Sequence, residues 1–325
     1  MIAKYISRFN LLIVLALALA LVLAGCGSPD TSAPERTVLK RSADWRGALL
    51  YIADAQGPDP EFGSVRVYDN VSGFVEKTVE QNLAASPSDV YVSPDGGSMY
   101  VASSANGEID SFRWDGNNWV HDHDIETPAA SLETLVRGPD KLLYAAGALD
   151  SRGPARLFYR LDPAAGKLAA SVSFPELSSV SGISWSPDGA SAYIAGTATS
   201  GAAQLAVYTW PSRSYQKAVA LPGIKETHEV VTSPDGRFVY VMCRGKLLKI
   251  DAAKRTLAGA LTPDPNPQAD YYGAAFSADG RYLFTDATDP GGSESTLYII
   301  DLNSNNVVKT VNKISVDAKG MKRTE

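Results

Sequence analysis

The chain has few of the residues that most small exported domains and many enzymes depend on. It holds two cysteines and three histidines in 325 residues. No Cys-x-x-Cys-His run occurs, which excludes a covalently attached c-type haem. A Gly-rich phosphate loop between strand and helix is missing, as is Gly-x-Ser-x-Gly, so the nucleotide-binding and hydrolase-elbow signatures are absent. No EF-hand spacing is present. A sustained helical period is lacking too, which removes helix-built repeats. Basic residues number 30 against 36 acidic ones, for a formal charge of −6. That balance suits neither nucleic acid nor an anionic lipid surface.

What is present begins with one apolar run, Leu11 to Gly25, preceded by Lys4 and Arg8 and ending in "LAGC" at Cys26. About 15 residues are short for a membrane span and suit the core of a signal peptide. Residues 1–25 are therefore expected to be a signal peptide. Small residues before a cysteine fit a peptidase site whose thiol is then acylated. The stretch resembles the lipobox of bacterial lipoproteins, which implies lipidation of Cys26 and a location in the cell envelope outside the cytoplasm. Gly27 after it implies the outer membrane where the organism has one. Residues 26–36, polar and containing proline, read as a tether. Removing residues 1–25 takes away Lys4 and Arg8 and no acid, so the remaining chain is more acidic still. With Cys26 acylated, Cys243 has no disulfide partner; inside "VYVMC" it reads as a small buried apolar residue.

Residues 37–325 read as a single domain made of repeats. Ser93, Gly138, Ser186, Ser233 and Ser277 open "SPDG", "GPDK", "SPDG", "SPDG" and "SADG", separated by 45, 48, 47 and 44 residues. A degenerate sixth copy, "SADWRGALLYIAD", starts at Ser42. In each turn Pro pre-sets its backbone dihedral, Asp bonds to nearby backbone and Gly accepts the left-handed conformation. A strand follows every turn: "YIAD" at Tyr51, "YVAS" at Tyr100, "YAAG" at Tyr144, "YIAG" at Tyr193, "YVMC" at Tyr240 and "FTDA" at Phe284. A second hairpin then closes each unit, its turn opened by Asp in most copies. Four short strands per unit, repeated radially, predict an all-β β-propeller of four-stranded blades. Six is the expected blade number and seven the alternative. The tail from Val311 either pairs into the first blade as a clasp or starts another.

These motifs resemble the YVTN-repeat propellers, a bacterial group close to the lactonase-like and cytochrome d1-like propellers. The last unit, "SADGRYLFTDATDPGGSESTLYIIDLNSNNVVKTV", carries the resemblance best, and the third departs from it with Lys141 in place of the turn Gly. The resemblance implies architecture more than activity, since the shared residues build turns and core.

Aligning the units on the turn locates candidate site residues. Five positions before each turn stand Ser88, Glu133, Ser181, His228 and Tyr272, followed by Asp89, Thr134, Gly182, Glu229 and Gly273. These positions begin the innermost strands, where loops of all units gather, so they are the expected ligand-binding set. His228 with Glu229 is the candidate acid–base pair. Alternation along "WVHDHDIE" predicts His121 and His123 on one face and Asp122 and Asp124 on the other. The outer-strand position favours a solvated edge, and no metal site is expected. The loop acids Asp59, Glu61, Asp264, Asp270, Asp286 and Asp289 likewise read as solvated. No cofactor is expected.

The expected function is a membrane-anchored binding or scaffold propeller for an envelope protein or a small polar ligand. The alternative is a lactonase-like hydrolase of sugar or acyl lactones, with Arg137, Lys225 and Arg244 as candidate basic residues for a phosphorylated substrate. An accessory role beside a redox complex is a third reading.

Overall fold

The computed structural model describes residues 49–55, 63–69, 74–79, 86–149, 155–290, 294–315 and 318–323. The chain divides into two units, Met1–Val38 and Leu39–Glu325, and every described residue belongs to the second. The signal segment, Cys26, the tether, Asp59 and Glu61 lie outside the described residues. No helix among the described residues is long and apolar enough to cross a membrane.

The described strands pair as six four-stranded antiparallel sheets. The first holds β1 (Leu49–Asp54), β2 (Ser64–Asp69) and β3 (Phe74–Val79). The second holds β4 (Pro87–Val92), β5 (Ser98–Ser103), β6 (Glu108–Trp114) and β7 (Trp119–Glu126). The third runs from β8 (Ser131–Arg137) through β9 (Leu143–Ala148) and β10 (Leu157–Asp162) to β11 (Lys167–Ser173). The fourth comprises β12 (Leu177–Trp185), β13 (Ser191–Ala198), β14 (Ala203–Thr209) and β15 (Ser214–Ala220). The fifth comprises β16 (Thr227–Thr232), β17 (Phe238–Cys243), β18 (Lys246–Asp251) and β19 (Thr256–Leu261). In the sixth, β20 (Ala274–Phe276), β21 (Tyr282–Thr288) and β22 (Ser295–Asp301) precede β23 (Asn306–Ser315). The last strand, β24 (Ala318–Arg323), returns to the first sheet and pairs with β1, Met321 opposite Ile52. This is the clasp arrangement.

The repeated turn shows why the sequence repeats. Ser93, Ser186, Ser233 and Ser277 each donate a hydroxyl hydrogen bond to the Asp two residues on, at 2.5–2.6 Å. Each hydroxyl also accepts the N–H five residues on, and the Asp accepts the N–H two residues beyond itself. The Gly residues of these turns have φ of 65–70°, where a side chain is strained. The third copy keeps the shape with Lys141 at φ 69°. Its Ser is replaced by Gly138, and Asp140 instead takes bonds from the Tyr144 hydroxyl and Arg160.

The post-turn strand carries the core. Tyr51, Tyr100, Tyr144, Tyr193, Tyr240 and Phe284 are all buried. Apolar clusters join first to second sheet (Val67, Phe112), second to third (Ile109, Leu135), third to fourth (Phe158, Val180) and fourth to fifth (Leu205, Val241). Two more join fifth to sixth (Met242, Ala274) and sixth back to first (Phe284, Ile52). Every sheet is thus cemented to two neighbours, and the innermost strands touch in sequence around an axis. This is a propeller arrangement of four-stranded blades, built without a disulfide among the described residues. Cys243 is fully buried, and burial pushes its thiol up to about 12, so almost no thiolate exists at neutral pH.

Candidate functional site

The innermost strands have two ends. At one, the repeated turns form a collar. A Cβ on the turn Gly of three units would meet the turn Pro of the preceding unit: Gly189 on Pro139, Gly236 on Pro187, Gly280 on Pro234. The collar surrounds a cavity of about 820 Å³, whose lining includes Pro139, Pro187 and Pro234 of the turns and Arg137, Thr232 and Glu229 of the innermost strands. The five-residue offset places His228 and its counterparts at the other end, here called the entrance, roughly 16 Å away at the rise of a strand.

At the entrance the structure brings together His228 and Tyr272, two of the five aligned positions, while Ser181 meets Thr227 instead. The Ser181 and Thr227 hydroxyls lie 2.7 Å apart, and His228 follows Thr227. The rings of His228 and Tyr272 have centroids 4.5 Å apart. Imidazole Nε2 of His228 lies 3.1 Å from Asp270 Oδ1; an ionised carboxylate only accepts, so Nε2 carries the proton in this contact. Arg244 grips the same carboxylate in a bidentate fork, Nε to Oδ1 at 2.9 Å and Nη2 to Oδ2 at 3.0 Å. Its Nη2 also meets Glu226 Oε2 at 3.0 Å. Burial pushes the Asp270 carboxyl up, but hydrogen bonds and charge from His228 and Arg244 outweigh it and hold the carboxyl below its ordinary value.

Asp270 is placed by its backbone. It exchanges N–H···O bonds with Thr288 at the end of β21 and bridges to Arg244 at the end of β17. It thereby ties the fifth sheet to the sixth, which is why a residue between strands reaches His228.

Two expected site residues stand elsewhere. Ser88 is buried and donates its hydroxyl to the Ala102 carbonyl of its own sheet. Glu133 is open to water but crowded by the protein around it, and desolvation raises its carboxyl despite a hydrogen bond from the Ala155 N–H. No contact among the described residues joins either to His228.

The next aligned position is structural. Asp89 accepts the Leu135 N–H at 2.7 Å, and Glu229 accepts the Ala274 N–H at 3.1 Å. Each carboxylate thus latches its sheet to the innermost strand of the next. Where the residue is Gly, the neighbour comes in directly: a Cβ on Gly273 would lie 2.6 Å from the Met321 nitrogen. Glu229 is buried in this latch, away from the role of partner to His228, which Asp270 takes.

The loop acids are hydrogen-bonded rather than merely solvated. Asp264 accepts from the Tyr298 hydroxyl and the Asn266 N–H, Asp286 from the Gly273 N–H, and Asp289 from the Asn266 side chain. The residues missed as a group were Glu226, Arg244 and Asp270. Their signal was present, with Glu226 just before β16, Arg244 just after β17 and Asp270 before β20, but none of the three repeats, so unit alignment passes over them.

The two neighbouring histidines correct the alternation argument. Ser111 pairs with His123 but Phe112 with His121, so Asp122 is an extra residue, a β-bulge. His121 therefore turns to the Phe112 face, with ring centroids 5.5 Å apart. His123 turns to the opposite face, where it meets Gly166 of the third sheet. The two imidazoles cannot share one metal ion.

No family model and no curated protein matches this chain. Among solved structures, it is similar to hydrazine synthase of Kuenenia stuttgartiensis, with TM-score 0.56, 18% identity, and 76% of this chain and 75% of that one covered. It is also similar to a functionally unknown protein from Desulfotomaculum acetoxidans, with TM-score 0.61, 13% identity, and 85% and 99% covered. At these identities the likeness concerns the fold, a β-propeller.

Proposed function

We propose that the protein is a binding propeller, anchored by a lipid on Cys26 at the outer face of a membrane, whose entrance captures a small polar ligand. We count six blades, closed by β24. The observation that supports the binding reading is the Glu226–Arg244–Asp270–His228–Tyr272 chain. It is an ordered set of charged and aromatic groups, drawn from two blades, at the point where the loops converge. Propellers commonly serve as rigid platforms for such sites. Arg244 is balanced by two carboxylates, so the entrance suits a ligand rich in hydroxyl or amide groups more than a phosphorylated one.

A saturation-transfer NMR screen of neutral sugars, sugar lactones and acyl lactones against a chain beginning at Gly27 tests this reading. Transfer to a neutral polar ligand, lost in His228→Ala and Arg244→Ala, is expected; transfer unchanged in both variants would overturn the entrance as the site. One observation favours the hydrolase alternative, since His228 with Asp270 behind it has the form of an oriented general base. Turnover of a lactone in the same panel, abolished by His228→Ala, would decide for it. The anchor is tested separately by labelled fatty acid, expected on the wild-type chain and absent from Cys26→Ser.

A further inference from the structure

We infer that the second sheet holds a binding site for a divalent transition-metal cation, formed by Asp110, His121 and Asp124. Their ligand atoms all lie within 4.8 Å of one another. His121 Nε2 and Asp124 Oδ1 are 2.6 Å apart. The site follows from strand geometry. Asp110 and Asp124 are opposite partners on β6 and β7 and so share a face. In a regular strand, His121, three residues before Asp124, would point to the other face. The bulge at Asp122 re-aims it onto theirs, and bulges commonly re-aim a side chain beside functional sites.

The donor set selects the ion. Two carboxylates and an imidazole suit zinc and its first-row neighbours, whereas calcium and magnesium take oxygen ligands. The surroundings fit a partly fixed, partly open centre. Asp110 is 4% exposed and lies two residues before Phe112 on the same strand face, while the side chains of His121 and Asp124 are 27% and 49% exposed. Three protein ligands on a rim leave the remaining coordination positions to water or to a donor from a partner. Two carboxylates held this close repel one another, and a divalent cation between them removes that repulsion. His123 is excluded from the site by the same bulge. Its Nδ1 meets Asp122 at 3.0 Å, and its Nε2 is buried without a hydrogen-bond partner.

The three histidines make the test sharp. The full chain, purified in detergent and stripped with chelator, is dialysed against Zn²⁺, and bound metal is counted per chain. One ion is expected, with affinity falling at least about tenfold in His121→Ala and in Asp124→Asn. His123→Ala and His228→Ala are expected to bind as the wild type does. Thermal unfolding gives the second readout: Zn²⁺ raises the midpoint of the wild type and of His123→Ala, but not of His121→Gln, which keeps the size and polarity of the side chain. No bound metal in the wild type, unchanged binding in His121→Ala, or equal loss in His123→Ala would each overturn the proposal.

Discussion

The two ends of the innermost strands are built on opposite plans. The turn collar uses the same few residues over and over, a Ser hydroxyl on an Asp, an Asp accepting a backbone N–H, a Gly against the preceding unit's Pro. The entrance uses each of its groups once: one His, one bidentate Arg, one shared Asp. A feature that every blade needs must occur in every blade, so repetition marks what holds the ring. Groups that occur once are not needed by every blade, although Asp270 also ties the fifth sheet to the sixth. The difference separates what every blade repeats from what the fifth and sixth sheets alone carry.

The comparison can be broken at the entrance first. Asp270→Ala leaves Arg244 and His228 without their common acceptor; because Arg244 is half exposed, a loss of about 2 kcal/mol is expected, below the usual cost of breaking a fully buried pair. The sign with pH follows from the lowered carboxyl. Its stabilisation is present above the unfolded-state value of about 4 and fades as pH falls through the lower folded value. Urea midpoints measured from pH 6 to pH 2 should therefore fall less steeply in Asp270→Asn than in the wild type.

A smaller effect is expected along the axis, at the latch. Glu229→Ala should cost about 1–2 kcal/mol, because the Ala274 N–H loses its acceptor. Glu229→Gln keeps an acceptor oxygen and should recover most of that in chemical denaturation. Equal losses in both variants would mean that the charge, not the hydrogen bond, does the latching.

The smallest effect belongs to the collar, where the third turn departs from the pattern. Lys141 occupies a left-handed conformation that costs an ordinary residue about 1–2 kcal/mol. Lys141→Gly should remove that strain but loosen the unfolded chain. A net gain of up to about 1 kcal/mol is expected in thermal unfolding, with ligand binding at the entrance unchanged.

The same contrast explains what could be read from the letters. The turns, the buried row from Tyr51 to Phe284 and the offset that aligned His228 with Tyr272 are periodic, and periodic signals survive in one sequence. Asp270 and Arg244 are separated from His228 in the chain and brought back by sheet-to-sheet docking, which no local pattern encodes. The bulge at Asp122 is a register event: one added residue reverses a face, and nothing in "WVHDHDIE" announces it. Glu229 stood at the aligned position, but its letter alone could not tell a general base from a carboxylate holding a backbone N–H of the next strand.

The pairing of β24 with β1 has a consequence for how the protein is made. A ribosome delivers β1 early and β24 after all other strands, so the first sheet stays incomplete while the rest emerges. The first sheet can be completed only when β24 is available, so closure through this pairing is a late event in folding. A chain shortened before Ala318 is expected to keep its secondary structure but to be cut far faster by protease, starting in the first sheet.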